Sequence, residues 1–396
     1  MPARGALVVG QSGGPTAVIN RTLAGVVEAA RAAGDAVGEI VGLRHGIEGL
    51  LAEEYVDLRR QGPTFLADLQ ETPSSILGSC RYRLRDEDLD RALGALRRLD
   101  ARAFVYIGGN DSADTTNRLA RAARDAGYEL ACIGAPKTID NDLAETDHCP
   151  GFGSAARFLA LAAMEASRDT EAMRRTDPVK ILEVAGRHAG WLAAAGVLGR
   201  RAEDEGPHLV YVPERPVPAD RILDDVAAAY EAFGHVVIVV SENQPDPSGV
   251  VLGSSGQPRY VDAFGHAYFD SPTEYLVREI RDRLGLRARW EKYGTLQRMS
   301  IACRSRTDAD EALAIGHEAT RLALAGQTGV MVVLRRESDE PYRWGLSTAP
   351  LTAVANAQRR LPPEFIPDAR GGATPAFRRY ALPLLGDPLP RHARLT

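Results

Sequence analysis

The feature that most constrains the fold is an apolar run followed by a glycine-bearing loop and a helical pattern, which occurs twice. Residues 6–9 lead into a loop at 10–20, and residues 103–107 lead into a loop at 108–115. A third apolar run, residues 130–133, also ends at a polar loop. Strands separated by helices predict a parallel sheet, in which the three loops meet at one edge.

The two glycine-bearing loops are typical of phosphate binding. In each, glycines follow a strand and precede a helix, which aims backbone N–H groups at an anion. Neither loop matches G-x-x-x-x-G-K-[ST] or G-x-G-x-x-G, so neither a P-loop nor a dinucleotide fingerprint is predicted.

The third loop reads PKTIDND and places a lysine beside groups suited to proton or metal chemistry. Lys137 is one of only three lysines in a chain whose other basic side chains are arginines. Asp140 and Asp142 lie two residues apart and face the same way on extended backbone, and Asn141 favours a turn. One carboxylate would hold a proton or a metal and the other would support it. The alternative is a polar surface turn, which the neighbouring phosphate loops disfavour.

Composition places the chain among ordinary globular proteins. The 396 residues are 44% hydrophobic and 26% charged, enough for two domains. No run approaches 18 apolar residues and no signal-like leader opens the chain, so we expect a cytoplasmic protein without a membrane partner. A formal net charge of −5 argues against a nucleic-acid partner. The four cysteines lack metal-ligand spacing and are predicted to be reduced thiols.

Arginines stand near several predicted strand ends, where they would attract an anionic substrate locally. Each alone is typical of a solvated surface residue. The proline-rich stretch from about residue 361 is expected to wrap the surface. Further strands are predicted at residues 179–184, 209–214, 236–243 and 329–334, and helices at 220–233, 273–284 and 308–325.

Seven motifs in one order carry a family resemblance: GGPTAVIN, GGNDSADT, PKTIDND, GFGSA, EVAGRHAGW, VPE and LQR. Together they resemble the 6-phosphofructokinase family, from Val8 to the C-terminus, and the tail resembles its longer bacterial and plant-type members. The resemblance implies an α/β phosphofructokinase fold, with two Rossmann-like three-layer α/β/α domains and the active site between them. It also implies dependence on Mg²⁺ and assembly as a homodimer or homotetramer.

The resemblance also implies how the two domains divide the work. A phosphoryl-donor domain is expected at residues 1–150 plus about 297–347. A sugar-phosphate-binding domain with a C-terminal extension is expected at residues 151–296 plus about 348–396.

Individual roles follow from the resemblance position by position. Asp140 is the expected general base, and Lys137 and Arg81 would stabilise charge on the transferring group. Asp111 and Asn110 are the expected metal-binding positions, although Asn110 replaces an aspartate of many relatives and leaves the Mg²⁺ ligand set open. The residues expected to bind substrate are Gly13, Gly14, Thr138, Asp142, Ala185, Gly186, Arg187, Glu214, Arg298 and, from a neighbouring subunit, Arg289.

Two positions indicate the phosphoryl donor. At these positions the ATP-using members of the family carry GGDG and PGTIDND, with glycines where this chain has Asp111 and Lys137. Two unit charges about 4 Å apart interact by about 4 kcal/mol in a partly exposed site, so adding such charges is enough to change the donor. The resemblance therefore implies transfer from pyrophosphate to fructose 6-phosphate, a reversible step of glycolysis.

The acceptor side departs from the family pattern. Ala185 and Thr295 are smaller than the residues that relatives carry at these positions, and Pro178 stands where relatives carry an arginine. Lys180 or Arg174 could compensate for that arginine. Sedoheptulose 7-phosphate or another sugar or polyol is therefore a second candidate acceptor. The sequence also leaves two different functions open, an ATP-dependent phosphofructokinase and a non-catalytic sugar-phosphate sensor.

Overall fold

The computed structural model describes residues 5–261, 267–367 and 372–394. The strands, in chain order, are β1 (Gly5–Gln11), β2 (Val37–Leu43), β3 (Tyr55–Asp57), β4 (Ala101–Gly108), β5 (Ala131–Pro136), β6 (Val179–Val184), β7 (Leu209–Tyr211), β8 (Val236–Ser241), β9 (Tyr260–Val261), β10 (Ala267–Tyr268), β11 (Ala288–Lys292), β12 (Val330–Asp339) and β13 (Tyr342–Pro350). The α-helices are α1 (Ile19–Ala32), α2 (Gly46–Ala52), α3 (Phe65–Gln70), α4 (Leu89–Arg98), α5 (Asn110–Asp125), α6 (Phe152–Ala172), α7 (Trp191–Ala195), α8 (Ala219–Phe233), α9 (Pro272–Leu284), α10 (Leu296–Met299), α11 (Arg306–Leu324), α12 (Leu351–Val354) and α13 (Pro375–Ala381).

The first compact unit joins Met1–Phe152 to Arg298–Arg359 around a seven-stranded sheet. The strand order is β13-β12-β5-β4-β1-β2-β3, with parallel pairing from β12 to β2 and an antiparallel strand at each edge. Leu7 and Val9 of β1 point into a core shared with α1 and α11, whereas Ala6 and Val8 point into a core shared with α2, α4 and α5. This alternation makes the unit a three-layer α/β/α sandwich.

The second compact unit joins Gly153–Gln297 to Arg360–Thr396 around a parallel sheet with the order β11-β6-β8-β7. Ile238 and Val240 of β8 belong to the core formed with α8 and α9. Val239 points to the opposite face and lies against Gly196, just after α7. Helices therefore cover both faces of this sheet too, as parallel strands require.

The predicted α/β class is confirmed, and the three leading apolar runs lie in β1, β4 and β5, which are neighbours in the first sheet. In the register of these strands Gln11 lies beside Ile107, and Gly108 lies beside Pro136. The three loops that follow therefore leave one edge of the sheet side by side. The sequence-based prediction did not include β2, β11 or β13.

The C-terminal segment does more than wrap the surface, which corrects the expectation from its proline content. Phe377 and Tyr380 of α13 are buried. Tyr380 packs against Trp191, with 5.5 Å between ring centroids, and Phe365 contacts the same tryptophan at 5.9 Å. Large aromatic side chains bury enough area to anchor a segment that has little regular structure.

None of the helices within the described residues has both the length and the apolar character that a bilayer crossing requires. The four cysteines are free thiols: Cys80, Cys132 and Cys149 are buried, and Cys303 is half-buried.

A buried charged cluster ties the chain after β5 to α11 and the β12–β13 hairpin. The ring nitrogens of His148 lie 2.7 Å from the Asp147 carboxylate and 2.6 Å from the Glu311 carboxylate. Tyr342 donates a hydrogen bond to Glu311, and Arg336 donates to Asp147. Burial alone would lower the pKa of His148, but Glu311 and Asp147 outweigh it and raise that pKa to about 9. His148 is therefore an imidazolium at neutral pH.

We predict that this cluster makes stability fall on the alkaline side. Folded His148 binds a proton up to about pH 9, whereas unfolded His148 loses its proton near its ordinary pKa of about 6.5. The stabilisation is complete below about pH 6.5 and disappears by about pH 9, a loss of up to about 3 kcal/mol. Urea unfolding at both pH values measures it.

Two variants isolate the contribution of this histidine. His148→Gln should flatten the difference between the two pH values, because it removes the titrating group. His317→Gln should keep that difference, because His317 is 44% exposed and its ion pair is with the partly exposed Glu28. An equal pH dependence in wild type and His148→Gln would contradict the prediction.

Candidate active site

The three predicted loops lie next to one another at the carboxyl ends of β1, β4 and β5. The N–H of Ser12 donates to the carbonyl of Ile107 at 2.9 Å, and the N–H of Lys137 donates to the carbonyl of Gly108 at 3.0 Å. The hydroxyls of Ser12 and Ser112 are 3.0 Å apart. The edge of a parallel sheet where such loops converge is where open α/β folds bind their ligands.

Lys137 is the buried charge of this edge. Its side chain is 3% exposed, and its ammonium donates to the carbonyl of Gly14 at 2.8 Å. Gly13 has a φ of +74°, and a Cβ there would lie 3.1 Å from the Lys137 ammonium, so glycine suits both the backbone and the space. A Cβ on Gly14 would likewise lie 3.1 Å from the Arg298 guanidinium. Two cations therefore flank the glycine turn.

Burial lowers the pKa of Lys137 to about 8, and the charge of Arg298 acts in the same direction. Asp140 and Asp142 oppose the shift, and Arg81 adds a smaller repulsion. These mutual influences place the lysine, both arginines and both aspartates in one electrostatic neighbourhood. The sequence-predicted residues Lys137, Arg81, Asp140, Asp142 and Arg298 are thus brought together.

The two aspartates differ in their surroundings. The N–H of Asp140 donates to the Thr138 hydroxyl at 3.1 Å, and Asn141 between the aspartates has a φ of +55°. Burial raises the pKa of Asp142 above its usual range, and the charge of Asp140 raises it further. The left-handed Asn141 confirms the predicted turn, since asparagine tolerates this conformation better than most residues.

The two predicted metal positions open α5. Asp111 is half-buried in the first helical turn, and the Asn110 amide donates to the carbonyl of Ala357 at 3.0 Å. The described residues contain no group of three or more His, Cys, Asp and Glu side chains arranged to hold a metal. Mg²⁺ commonly binds through one or two carboxylates plus substrate phosphates, so the Asp111 carboxylate beside a phosphate loop fits a metal that arrives with its substrate.

In the second unit, the loop after β6 contains the predicted sugar-binding positions. The N–H of Ala185 donates to the Gln297 side chain at 3.1 Å, and the carbonyl of Gly186 accepts from Ser241 at 2.6 Å. Gly186 has a φ of +117°, and a Cβ there would lie 2.5 Å from a backbone oxygen, so only glycine fits. Hydrogen bonds from two neighbouring elements therefore fix this loop.

Glu214 and Arg187 have different surroundings. The Glu214 carboxylate accepts N–H bonds from Gly190 at 2.9 and 3.0 Å and from Leu361 at 2.8 Å. Arg187 lies over the ring of Tyr268, with 4.4 Å to the centroid. Its charge also opposes the rise that burial causes in the pKa of Glu242. Glu242 falls in the predicted strand at residues 236–243 but was assigned no role from the sequence, and Tyr268 was not anticipated.

The basic residues expected near a distal phosphate are distributed unevenly. Arg289 pairs with the buried Asp177 at 2.9 Å. Lys180 is 9% exposed and pairs with Asp169 at 2.8 Å, so its charge is already compensated. Arg174 is exposed and, with Arg175 and Arg287, lines a cavity of about 680 Å³. Of the two residues suggested to replace an arginine at position 178, Arg174 is therefore the more accessible.

Comparisons with known proteins agree with this geometry. The family model described as phosphofructokinase matches residues 6–322. The chain belongs to the phosphofructokinase family. A relative from Xanthomonas campestris, named pyrophosphate–fructose 6-phosphate 1-phosphotransferase, is 42% identical and aligns over 96% of this chain and 91% of its own. A relative from Alkalicoccus urumqiensis named sulfofructose kinase is 34% identical, over 90% and 91%.

A solved structure is similar to this phosphofructokinase throughout. The pyrophosphate-dependent phosphofructokinase from Marinobacter aquaeolei has a TM-score of 0.87 and 36% sequence identity, and the match covers 98% of this chain and 94% of that one. The predicted fold of two α/β domains is thereby confirmed. The roles of individual site residues stay predictions.

We predict that this phosphofructokinase uses its phosphate donor less well above about pH 8. Lys137 loses its positive charge there, since burial lowers its pKa to about 8, and an anion at the Gly13–Gly14 turn then loses one of its cations. The kcat/KM for the donor should fall about tenfold per pH unit on the alkaline limb, because a single proton is lost. This quantity is the one to measure, since it reports ionisations of the free enzyme.

Lys137→Arg is the matched control for this pH profile. Arginine keeps its charge throughout this range. Ionisation of the substrate is the same in assays of both proteins, so it cannot cause a difference between their pH profiles. The variant should lose the alkaline limb even where its absolute rate is lower. An unchanged limb would assign the titration to another group.

Proposed function

We propose that this phosphofructokinase transfers a phosphoryl group from pyrophosphate to the 1-hydroxyl of fructose 6-phosphate, giving phosphate and fructose 1,6-bisphosphate reversibly. The observation that supports this most is Lys137, buried against the glycine turn at Gly14. A relative with 42% identity over nearly the whole chain is named for this reaction. The family's residues and the local electrostatics therefore favour the same donor.

The donor half is built to hold a compact anion. Gly13 and Gly14 would offer backbone donors to pyrophosphate, while Lys137 and Arg81 supply positive charge around them. Phosphoryl transfer depends on position and charge neutralisation more than on covalent help. Asp111 would exclude a nucleotide by its charge and volume and would hold Mg²⁺. When bound, that ion neutralises charge on the phosphate oxygens.

Asp140 is the proposed general base. The acceptor hydroxyl attacks the terminal phosphorus, the bridging P–O bond breaks, phosphate leaves and Asp140 takes the hydroxyl proton. Asp142, whose pKa burial and Asp140 both raise, would support this carboxylate, and Thr138 would bond the sugar. A positioned base of this kind typically contributes about 10²–10⁴-fold in rate.

The acceptor half would use the loop after β6. Ala185, Gly186 and Arg187 would line the sugar site. Glu214 accepts N–H bonds from two backbone positions and so fixes the loop at Gly190. The same carboxylate would hold the hydroxyls of the sugar. Arg298 would bind the distal phosphate of the sugar together with Arg289 of a neighbouring subunit. The assembly would be a homodimer or homotetramer located in the cytoplasm.

One assay matrix tests the proposal. Purified protein with Mg²⁺ is given pyrophosphate or ATP against fructose 6-phosphate, sedoheptulose 7-phosphate and sulfofructose. Sulfofructose is included because a relative is named for it and because Ala185, Thr295 and Pro178 depart from the family pattern. We expect the highest kcat/KM with pyrophosphate and fructose 6-phosphate. A higher value with another pair replaces the proposed substrate, and no turnover with any pair rejects the proposal.

Asp140→Asn should lower kcat by about 10²–10⁴-fold, because the amide cannot accept the hydroxyl proton at neutral pH. Steady-state rates with saturating substrates measure the loss. Glu145→Gln, the same chemical change on an exposed side chain of the same loop, should leave kcat near wild type. Residual activity of Asp140→Asn above about a tenth of wild type would remove Asp140 from this role.

The double variant Asp111→Gly, Lys137→Gly should weaken the use of pyrophosphate and admit ATP. It removes the lysine charge that favours a small dense anion and the carboxylate that repels a nucleotide, each worth about 4 kcal/mol at about 4 Å. The ratio of kcat/KM for the two donors is the measurement. An undiminished preference for pyrophosphate would show that these two side chains do not select the donor.

A further inference from the structure

Arg359 joins two parts of the loop that follows β5. Its backbone N–H donates to the carbonyl of Asp142 at 2.7 Å. Its guanidinium donates to the carbonyl of Asn141 at 3.0 and 3.3 Å, to that of Thr146 at 2.8 Å and to that of Asp147 at 2.6 Å. One side chain, 217 positions beyond Asp142 in the sequence, thus fixes both ends of the excursion from residue 141 to 147.

The same loop is also closed by its own polar groups. The Asn141 side chain accepts the N–H of Cys149 at 3.0 Å, and the N–H of Thr138 donates to the carbonyl of Pro150 at 3.1 Å. These bonds join the start of the loop to its end, and the N–H of Asp147 also donates to the carbonyl of Leu334 at 3.0 Å. Arg359 adds a hold from outside the loop at the residue between the two aspartates and at Asp142 itself.

We propose that Arg359 is a positioning residue for phosphoryl transfer: it holds the backbone at Asn141 and Asp142 so that the carboxylates of Asp140 and Asp142 meet the acceptor hydroxyl. The inference rests on the proposed function, because it assigns these carboxylates to the reaction. The Arg359 hydrogen bonds given above all end on backbone carbonyls of this loop, next to the proposed base. Loss of Arg359 should therefore affect the rate of the bound complex more than the binding of pyrophosphate.

The shape of the guanidinium explains why this position needs arginine. Its five N–H donors form a rigid planar fork that can reach several carbonyls at once, whereas a lysine ammonium is a point charge. Arg359→Lys keeps the charge near Asp142 and loses the bridge from Asn141 to Thr146 and Asp147. The lysine variant therefore separates a geometric role from an electrostatic one.

Steady-state kinetics of wild type and four variants test the inference. Arg359→Ala and Arg359→Lys should each lower kcat by about 10–100-fold, the loss typical of a small misplacement of reacting groups, with KM for pyrophosphate within about threefold of wild type. Arg360→Ala, a matched change at the exposed neighbouring arginine, should retain wild-type kcat. Added guanidinium at a non-denaturing concentration should raise kcat of Arg359→Ala but not that of Asp140→Asn.

Hydrogen exchange followed by mass spectrometry tests the geometry without requiring turnover. In Arg359→Ala, exchange should rise in peptides covering residues 138–151 and stay at the wild-type level in β1, β4 and α1. Arg360→Ala should match wild type everywhere. If wild type turns over none of the donor and acceptor pairs, the proposed function fails, and this comparison still decides whether Arg359 holds the loop.

Several results would overturn the inference. One is a kcat of Arg359→Ala within threefold of wild type, and another is a kcat of Arg359→Lys equal to wild type, which would make charge sufficient. Unchanged exchange at residues 138–151 would show that the loop is held without Arg359. A rise throughout the first unit would make the residue a general structural support instead.

Discussion

A lysine ammonium buried at the end of β5 is the constraint on which the site depends. A buried charge is costly unless it is paired and hydrogen-bonded. Here the Gly14 carbonyl accepts a hydrogen bond from Lys137, while Asp140 and Asp142 offset the repulsion from Arg298. That balance requires the carboxyl ends of β1, β4 and β5 to lie in register, since each strand end delivers part of the environment. The chemistry of the site therefore depends on the register of these three strands.

The second unit prepares its loop in another way, through backbone hydrogen bonds. Glu214 accepts N–H groups from Gly190 and Leu361, and Ser241 binds the carbonyl of Gly186. A carboxylate already satisfied by backbone N–H groups keeps lone pairs for a further donor, because each oxygen accepts more than one hydrogen bond. The loop is thus held in shape by the same group that would recognise a sugar hydroxyl.

The sequence predicted the parts of the site that follow directly after strands. Apolar runs bounded by glycine loops identified β1, β4 and β5, and the turn at Asn141 followed from side-chain chemistry. The roles of Arg359 and the buried state of His148 could not be predicted, because both depend on residues far away in the chain. The local sequence pattern also missed two edge strands, the antiparallel β13 and the largely exposed β11. In neither strand do the side chains form a continuous apolar run.

The first unit is assembled from two separated stretches, and this sets an order of events during synthesis. Strand β5 pairs with β12, and α1 packs so closely along α11 that Gly25 and Gly316 have no room for a side chain. At the usual elongation rates of about 5–20 residues per second, roughly 10–40 s separate the emergence of β5 from that of β12. Throughout that interval β5 is an unpaired strand edge in the nascent protein, and such an edge can pair with another chain and start aggregation.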